Sequence, residues 1–198
     1  MQSVLPRRAL LICALAAAVP ARATRPITIE GVTFVGTIKL ADTVLQLNGV
    51  GLRAVAWLKG YAAGLYLPRK ASTEAQVIET PGPKRLQLRM LQEVDAEEFV
   101  KAFHKGVERN SAAAEAARLN ERVAQLDTVV RGLVRLKKRD VIDLDFIPGQ
   151  GLVLSRNGVA HGSAVPGDDF YAALLRCFVG VRPADPEMKI GLLGGPVG

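Results

Sequence analysis

Arg53 is the side chain in this 198-residue sequence with the clearest chemical potential. It follows Gly49-Val50-Gly51-Leu52 and leads into residues 55–67, where almost every position is apolar or small and only Lys59, Tyr61 and Tyr66 bring polar tips. A guanidinium stays charged and donates in a planar fork, which suits a carboxylate or a developing oxyanion. Charged residues are mostly exposed, so from its surroundings alone Arg53 is either a surface charge or the partner of an anion that enters the fold.

Other chemistry finds little footing. His104 and His161 are the only histidines, neither has a second histidine at i+3 or i+4, and no cysteine cluster accompanies them, so zinc spacing is absent and no metal or other cofactor is expected. His104 stands beside a phenylalanine face where it could in principle ligate a haem, but a lone histidine there reads as packed or exposed. Ser111, Ser155 and Ser163 lack a glycine-flanked nucleophile turn, and neither histidine has an evident partner in the sequence. Asp143 and Asp145 share one face of a strand opposite Ile142, Leu144 and Phe146, which reads as a solvated face. No glycine-rich loop leads from a strand into a helix, so nucleotide binding is unsupported.

The elements that must position Arg53 follow from periodicity. Residues 1–23 read as a secretory signal, with Arg7 and Arg8 before an apolar core and Ala21-Arg22-Ala23 as the cleavage site. The apolar run is shorter than the roughly 20 residues of a spanning helix, so no membrane anchor is expected after cleavage, and the domain, residues 24–198, should be periplasmic or secreted. Loss of Arg7, Arg8 and Arg22 lowers the formal charge from +7 to +4. The remaining basic residues are scattered, except for Arg135, Lys137, Lys138 and Arg139, which read as a solvated helix end, and no nucleic-acid partner is expected. One cysteine remains, Cys177, in a helical pattern with Phe170, Leu174 and Phe178 that predicts a buried small hydrophobe.

Asn48-Gly49 predicts a tight turn between two strands. Thr73 or Ser72 caps a short helix, and Arg85 to Leu91 alternates as a half-buried strand. Asp95 with Glu98 has capping-box spacing, starting a helix whose Phe99, Phe103 and Val107 share a face. A second helix begins near Ala112, and Asp127 caps a further short one through Val134. Residues 141–147 alternate as a strand, Asn157-Gly158 marks a hairpin, and Asp168 or Asp169 caps a helix ended by Gly180, before a last helical turn from Pro186. Strands, then helices, then strands and a closing helix predict one α+β domain with an antiparallel sheet and helices on one face.

Gly49-Val50-Gly51-Leu52-Arg53, Lys59 and Gly64-Leu65-Tyr66-Leu67 resemble the chalcone isomerase family, whose members carry a Gly-x-Gly-x-Arg turn, a lysine and a Gly-aliphatic-Tyr-Leu strand. The likeness extends more weakly from Gly31 to about Gly194. It implies an open-faced β-sandwich and, for active members, an intramolecular ring closure in which the matching arginine steadies negative charge. Arg53 and Tyr61 are then the candidate catalytic residues. The family's threonine position holds Tyr61, and Phe99 and Gly106 fall where a tyrosine and an asparagine are expected. The resemblance also covers non-catalytic fatty-acid binders, which gives the expectation preferred here: a non-catalytic domain that binds a small apolar anion through Arg53, with Trp57, Tyr61, Phe99 and Phe103 along its chain. The alternatives are a chalcone-flavanone-type isomerase and an interaction domain with a filled cleft, in which Arg53 pairs with an internal acid such as Asp143.

Overall fold

The computed structural model describes residues 24–55 and 58–196; the signal-peptide reading of residues 1–23 and the Trp57 assignment lie outside the described residues. Among the described residues no helix is long and apolar enough to cross a membrane. The described residues form eleven strands and five helices in the order β1 (Ile27–Ile29), β2 (Val32–Phe34), β3 (Thr37–Leu40), β4 (Thr43–Val55), β5 (Leu58–Leu67), α1 (Glu74–Glu79), β6 (Lys84–Met90), β7 (Val94–Asp95), α2 (Ala96–Asn110), α3 (Ala113–Arg131), β8 (Arg135–Leu136), β9 (Val141–Ile147), β10 (Gly151–Arg156), β11 (Val159–Ala160), α4 (Asp168–Val179) and α5 (Pro186–Leu192). Seven strands form one antiparallel sheet in the order β11-β10-β9-β6-β5-β4-β3. This is the expected α+β open-faced sandwich.

Strand alternation divides the core in two. Ala63, Leu65, Leu86, Leu88, Ile142 and Leu144 face the helices and join Phe170, Leu174 and Val107 in the main cluster. Ala62, Tyr66, Leu45, Leu47 and Val50 face the other way, where Phe34 from the β1–β2 hairpin seals a smaller cluster. Gly64 makes that seal possible: a Cβ there would lie 2.5 Å from the Phe34 ring.

Asn48-Gly49 is not a turn. β4 runs unbroken through it, and the register with β5 shifts between Leu47 and Gly49 as a β-bulge. The Asn48 amide donates to the carbonyls of Ala71 (2.8 Å) and Leu192 (2.7 Å) and its oxygen accepts from the Ala71 amide (2.8 Å). The Lys70 ammonium takes the bulge carbonyls of Leu47 and Asn48. A sequence that favours local turns is thus held extended by tertiary partners.

The bulge also changes which residues face the helices. Beyond it, Gly49 opposes Leu65, Gly51 opposes Ala63 and Arg53 opposes Tyr61, all on the helix face. The two glycines leave a bare track on which α5 lies directly: a Cβ on Gly49 would stand 2.0 Å from the Gly191 carbonyl oxygen, and one on Gly51 2.5 Å from that of Met188. Arg53 is the next residue along that face, at the N-terminal end of α5.

The carboxylate face of β9 is buried, against expectation. Asp143 and Asp145 are 6% and 5% exposed because Arg85, across the ladder on β6, lies over both. Its guanidinium grips Asp145 at 2.6 Å through two nitrogens and reaches Asp143 at 3.2 Å. Gln87 donates to Asp143 (2.7 Å) and accepts from Arg89 (3.1 Å).

Other local expectations need adjustment. Asp95 occupies the N-cap of α2, but its side chain makes no capping bond and pairs instead with Arg135 at 2.9 Å. Asp127 does not start a further helix: α3 is continuous from Ala113 to Arg131, and Arg135 lies in β8 rather than at a helix end. Gly167, with φ +108°, stands at the N-cap of α4, and Asp168 is the first helical residue. Thr73, the Asn157-Gly158 hairpin and Gly180 take their expected places.

Candidate ligand-binding site

Where α2, α3 and α4 cross the helix face of the sheet, they leave a cavity of about 80 Å³. Tyr61 and Leu88 of the sheet, Phe99 and Phe103 of α2, Leu126 of α3, and Leu174 and Phe178 of α4 are among its walls, and Cys177 and Ala184 close one side. The amphipathic spacing of Phe99 and Phe103 carries both rings to this wall. The Phe99 ring lies 5.6 Å from that of Tyr61, and Phe103 meets Phe170 edge-on at 5.9 Å.

Three of the side chains that the sequence singled out, Tyr61, Phe99 and Phe103, therefore meet at one cavity. Arg53 is not part of its wall but is the direct cross-strand neighbour of Tyr61. Its Nη1 donates to Oδ2 of Asp185 at 3.2 Å and to the Ala54 carbonyl at 3.3 Å. The internal acid is thus Asp185, not Asp143. Asp185 also caps α5: its Oδ1 accepts from the amides of Glu187 (3.0 Å) and Met188 (3.1 Å). Ala184, which lines the cavity, immediately precedes it. The sequence signal for this partner was Asp185-Pro186, an N-cap acid followed by proline at the first helical position.

Burial pushes the Tyr61 phenol above its ordinary range, Arg53 pulls it back and Asp185 pushes it further. Tyr61 therefore stays protonated at physiological pH, a hydroxyl donor beside a cation already paired with a carboxylate.

Gly106 explains why an asparagine does not stand here. α2 crosses α4 at this point, and a Cβ on Gly106 would lie 2.5 Å from the Cys177 Sγ. The thiol donates to the Ala173 carbonyl at 3.3 Å, and burial raises its pKa to about 12. Cys177 is therefore expected to stay unmodified by a disulfide reagent at pH 8 until the protein is unfolded, as peptide mapping would report. Stoichiometric labelling of the native protein would contradict this packing.

The histidines and serines do not join the cavity. His104 does have a partner, however: its Nε2 lies 2.8 Å from Oδ2 of Asp127, one helix away on α3, a pairing that sequence separation concealed. His161 and Ser163 line a separate open surface depression with Gln125 and Thr128. Among the described residues no group of three or more His, Cys, Asp or Glu side chains could hold a metal ion.

A family model described as chalcone isomerase-like matches residues 26–194. No curated protein sequence matches the chain. Among solved structures, a fatty-acid binding protein from Arabidopsis thaliana superposes with a TM-score of 0.66 at 16% identity, covering 85% of this chain and 95% of that one. At that identity the likeness speaks for the fold.

Proposed function

We propose that this chain, which belongs to the chalcone isomerase-like family, binds a small apolar anion such as a fatty acid, its carboxylate at Arg53 and its chain in the cavity under α2. The observation that carries this reading is the position of the cavity's polar end. Tyr61 and Ala184, both in its wall, are the immediate neighbours of the two partners in the Arg53–Asp185 pair. A structurally similar protein named for fatty-acid binding supports the choice of ligand.

The cavity as it stands is small. Small-molecule sites usually enclose about 300–1,000 Å³, so an alkyl chain needs more than these 80 Å³. Phe99 and Phe103, both only partly buried on α2, are the rings that give way. Each methylene then contributes about 0.8 kcal/mol by leaving water. At the head, Asp185 occupies the carboxylate position, and the ligand takes Arg53 by exchange with it.

This makes Asp185→Asn informative. Asparagine keeps the helix cap but removes the competing charge, so fatty-acid affinity should rise, whereas Arg53→Ala should lower it roughly 10- to 100-fold, the loss of one charge-assisted hydrogen bond. Tyr61→Phe should retain the ligand. Titration with a fluorescent fatty acid reads all three; equal affinity in Arg53→Ala and wild type would sink the anchor role.

Ring-closing activity is not part of this proposal. Tyr61 offers a hydroxyl, but Phe99 brings none, and Gly106 has no room for an amide against Cys177. A chalcone ring-closure assay is expected to show no acceleration. The reading favoured by the Arg53–Asp185 pair itself is an interaction domain whose cleft stays filled, and wild-type protein that takes up no fatty acid in this titration would select it. We further propose that residues 1–23 are removed on export, so that the protein from its host begins near Thr24.

A further inference from the structure

The geometry points to a second and chemically different site, a pocket in which Lys84 takes a small apolar aldehyde as an imine. This pocket, about 410 Å³, lies between the α1–β6 loop and the start of α4 and shares no wall residue with the cavity at Tyr61. Lys84 opens β6 on the helix face of the sheet and is only 6% exposed. Its ammonium stands 5.0 Å from the centre of the Phe146 ring. Among the described residues it has no ion-pair or hydrogen-bond partner; Asp168 acts on it only through space.

A lysine buried in this way, without a paired acid, is seldom placed for stability, because desolvation disfavours its charged form. The same desolvation lowers its proton affinity. Each charged group that faces it is accounted for. Glu79 of α1 and Asp168 of α4 stand at the pocket wall, Asp169 is held by Arg122 at 2.8 Å, and the Tyr171 hydroxyl donates to the Leu144 carbonyl at 2.9 Å. Two carboxylates at the wall repel an anion, so the occupant is neutral, and Ile78, Pro81, Phe146 and Leu175 supply an apolar surface for its body. A neutral electrophile that a lysine nitrogen can take covalently is a carbonyl compound.

The step balances without oxidant or reductant. The amine lone pair attacks the carbonyl carbon, forming the C–N bond as the C=O π pair moves to oxygen. Asp168 accepts a proton from nitrogen and returns it to that oxygen, and the carbinolamine then loses water to leave the C=N bond.

Hexanal with cyanoborohydride as the trap, followed by peptide mapping of the folded protein, tests this. Lys84 is expected to gain the reduced adduct about tenfold faster than exposed lysines such as Lys39 and Lys101. Lys84→Arg, which keeps the charge and the strand, should abolish the fast adduct and leave the slow ones. Adducts spread evenly over the exposed lysines, or an unmodified Lys84, would overturn the assignment. Because fatty-acid titration reads a different cavity, neither result depends on the other.

Discussion

Arg85→Met is expected to destabilise the protein by about 3–5 kcal/mol at pH 7, the range for stripping a buried ion pair of one partner. Two carboxylates, Asp143 and Asp145, share this one guanidinium on a face that holds little water. Even with Arg85 present, burial outweighs its pull and raises the pKa of Asp145. Without Arg85 the opposing pull disappears, and Asp145 must take up a proton or remain charged and buried. The sign of the pH dependence follows: a folded-state pKa above the unfolded one makes the folded state bind protons more strongly, so the ionised group costs stability above that pKa. The deficit of the variant should therefore shrink as pH falls toward the unfolded carboxylate value of about 3.9. Urea unfolding at several pH values would show this, and an equal deficit at acid and neutral pH would contradict it.

Gly49→Ala should cost about 3 kcal/mol, the upper end of ordinary overpacking, although the change adds a single methyl. The obstacle is backbone on both sides: the methyl would meet the Gly191 carbonyl oxygen at 2.0 Å and the Gly194 amide nitrogen at 2.8 Å. Neither can turn aside as a side-chain end can, so α5 must lift from β4. Lifting α5 carries Asp185 away from Arg53 and removes the Leu192 carbonyl from Asn48. Gly49→Ala is therefore expected to lower the unfolding midpoint and to loosen the Arg53–Asp185 pair, linking the glycines of the motif to its arginine. Gly149→Ala is a useful contrast. That glycine has φ +81°, which any side chain resists, but nothing lies within 4 Å of the added methyl. Its penalty is conformational, about 1 kcal/mol, and should leave binding unchanged.

The architecture was legible because its signals are local. Alternation over residues 141–147, the Asn157-Gly158 hairpin and the Phe99, Phe103 periodicity all depend on near neighbours in sequence, and each appears in the fold. What could not be read depends on distant residues. Asn48-Gly49 has turn chemistry, but Ala71 and Leu192 hold it in a strand. Asp143 and Asp145 alternate correctly, but whether their face meets water is decided by Arg85, far away in sequence. Asp95 and Glu98 have the spacing of a capping box, yet Arg135 outcompetes the backbone for Asp95.

The candidate site divides along the same line. Tyr61, Phe99 and Phe103 were found from apolar patterning and do meet at the cavity. Asp185 was missed as the partner of Arg53 because 132 residues separate them and the acid carries a plausible local duty as helix cap. Gly106 drew notice only as a missing asparagine. Its physical role, close passage of α2 over the Cys177 thiol, belongs to the helix crossing and not to its neighbours in sequence.

Native mass spectrometry of the protein purified from its own host, with solvent extraction of whatever dissociates, tests the central claim most directly. The account predicts a co-purified fatty acid or similar apolar anion on the wild type and on Tyr61→Phe, and its loss from Arg53→Ala. The same small molecule retained on Arg53→Ala, or wild-type protein that stays empty even after incubation with fatty acids, would contradict it.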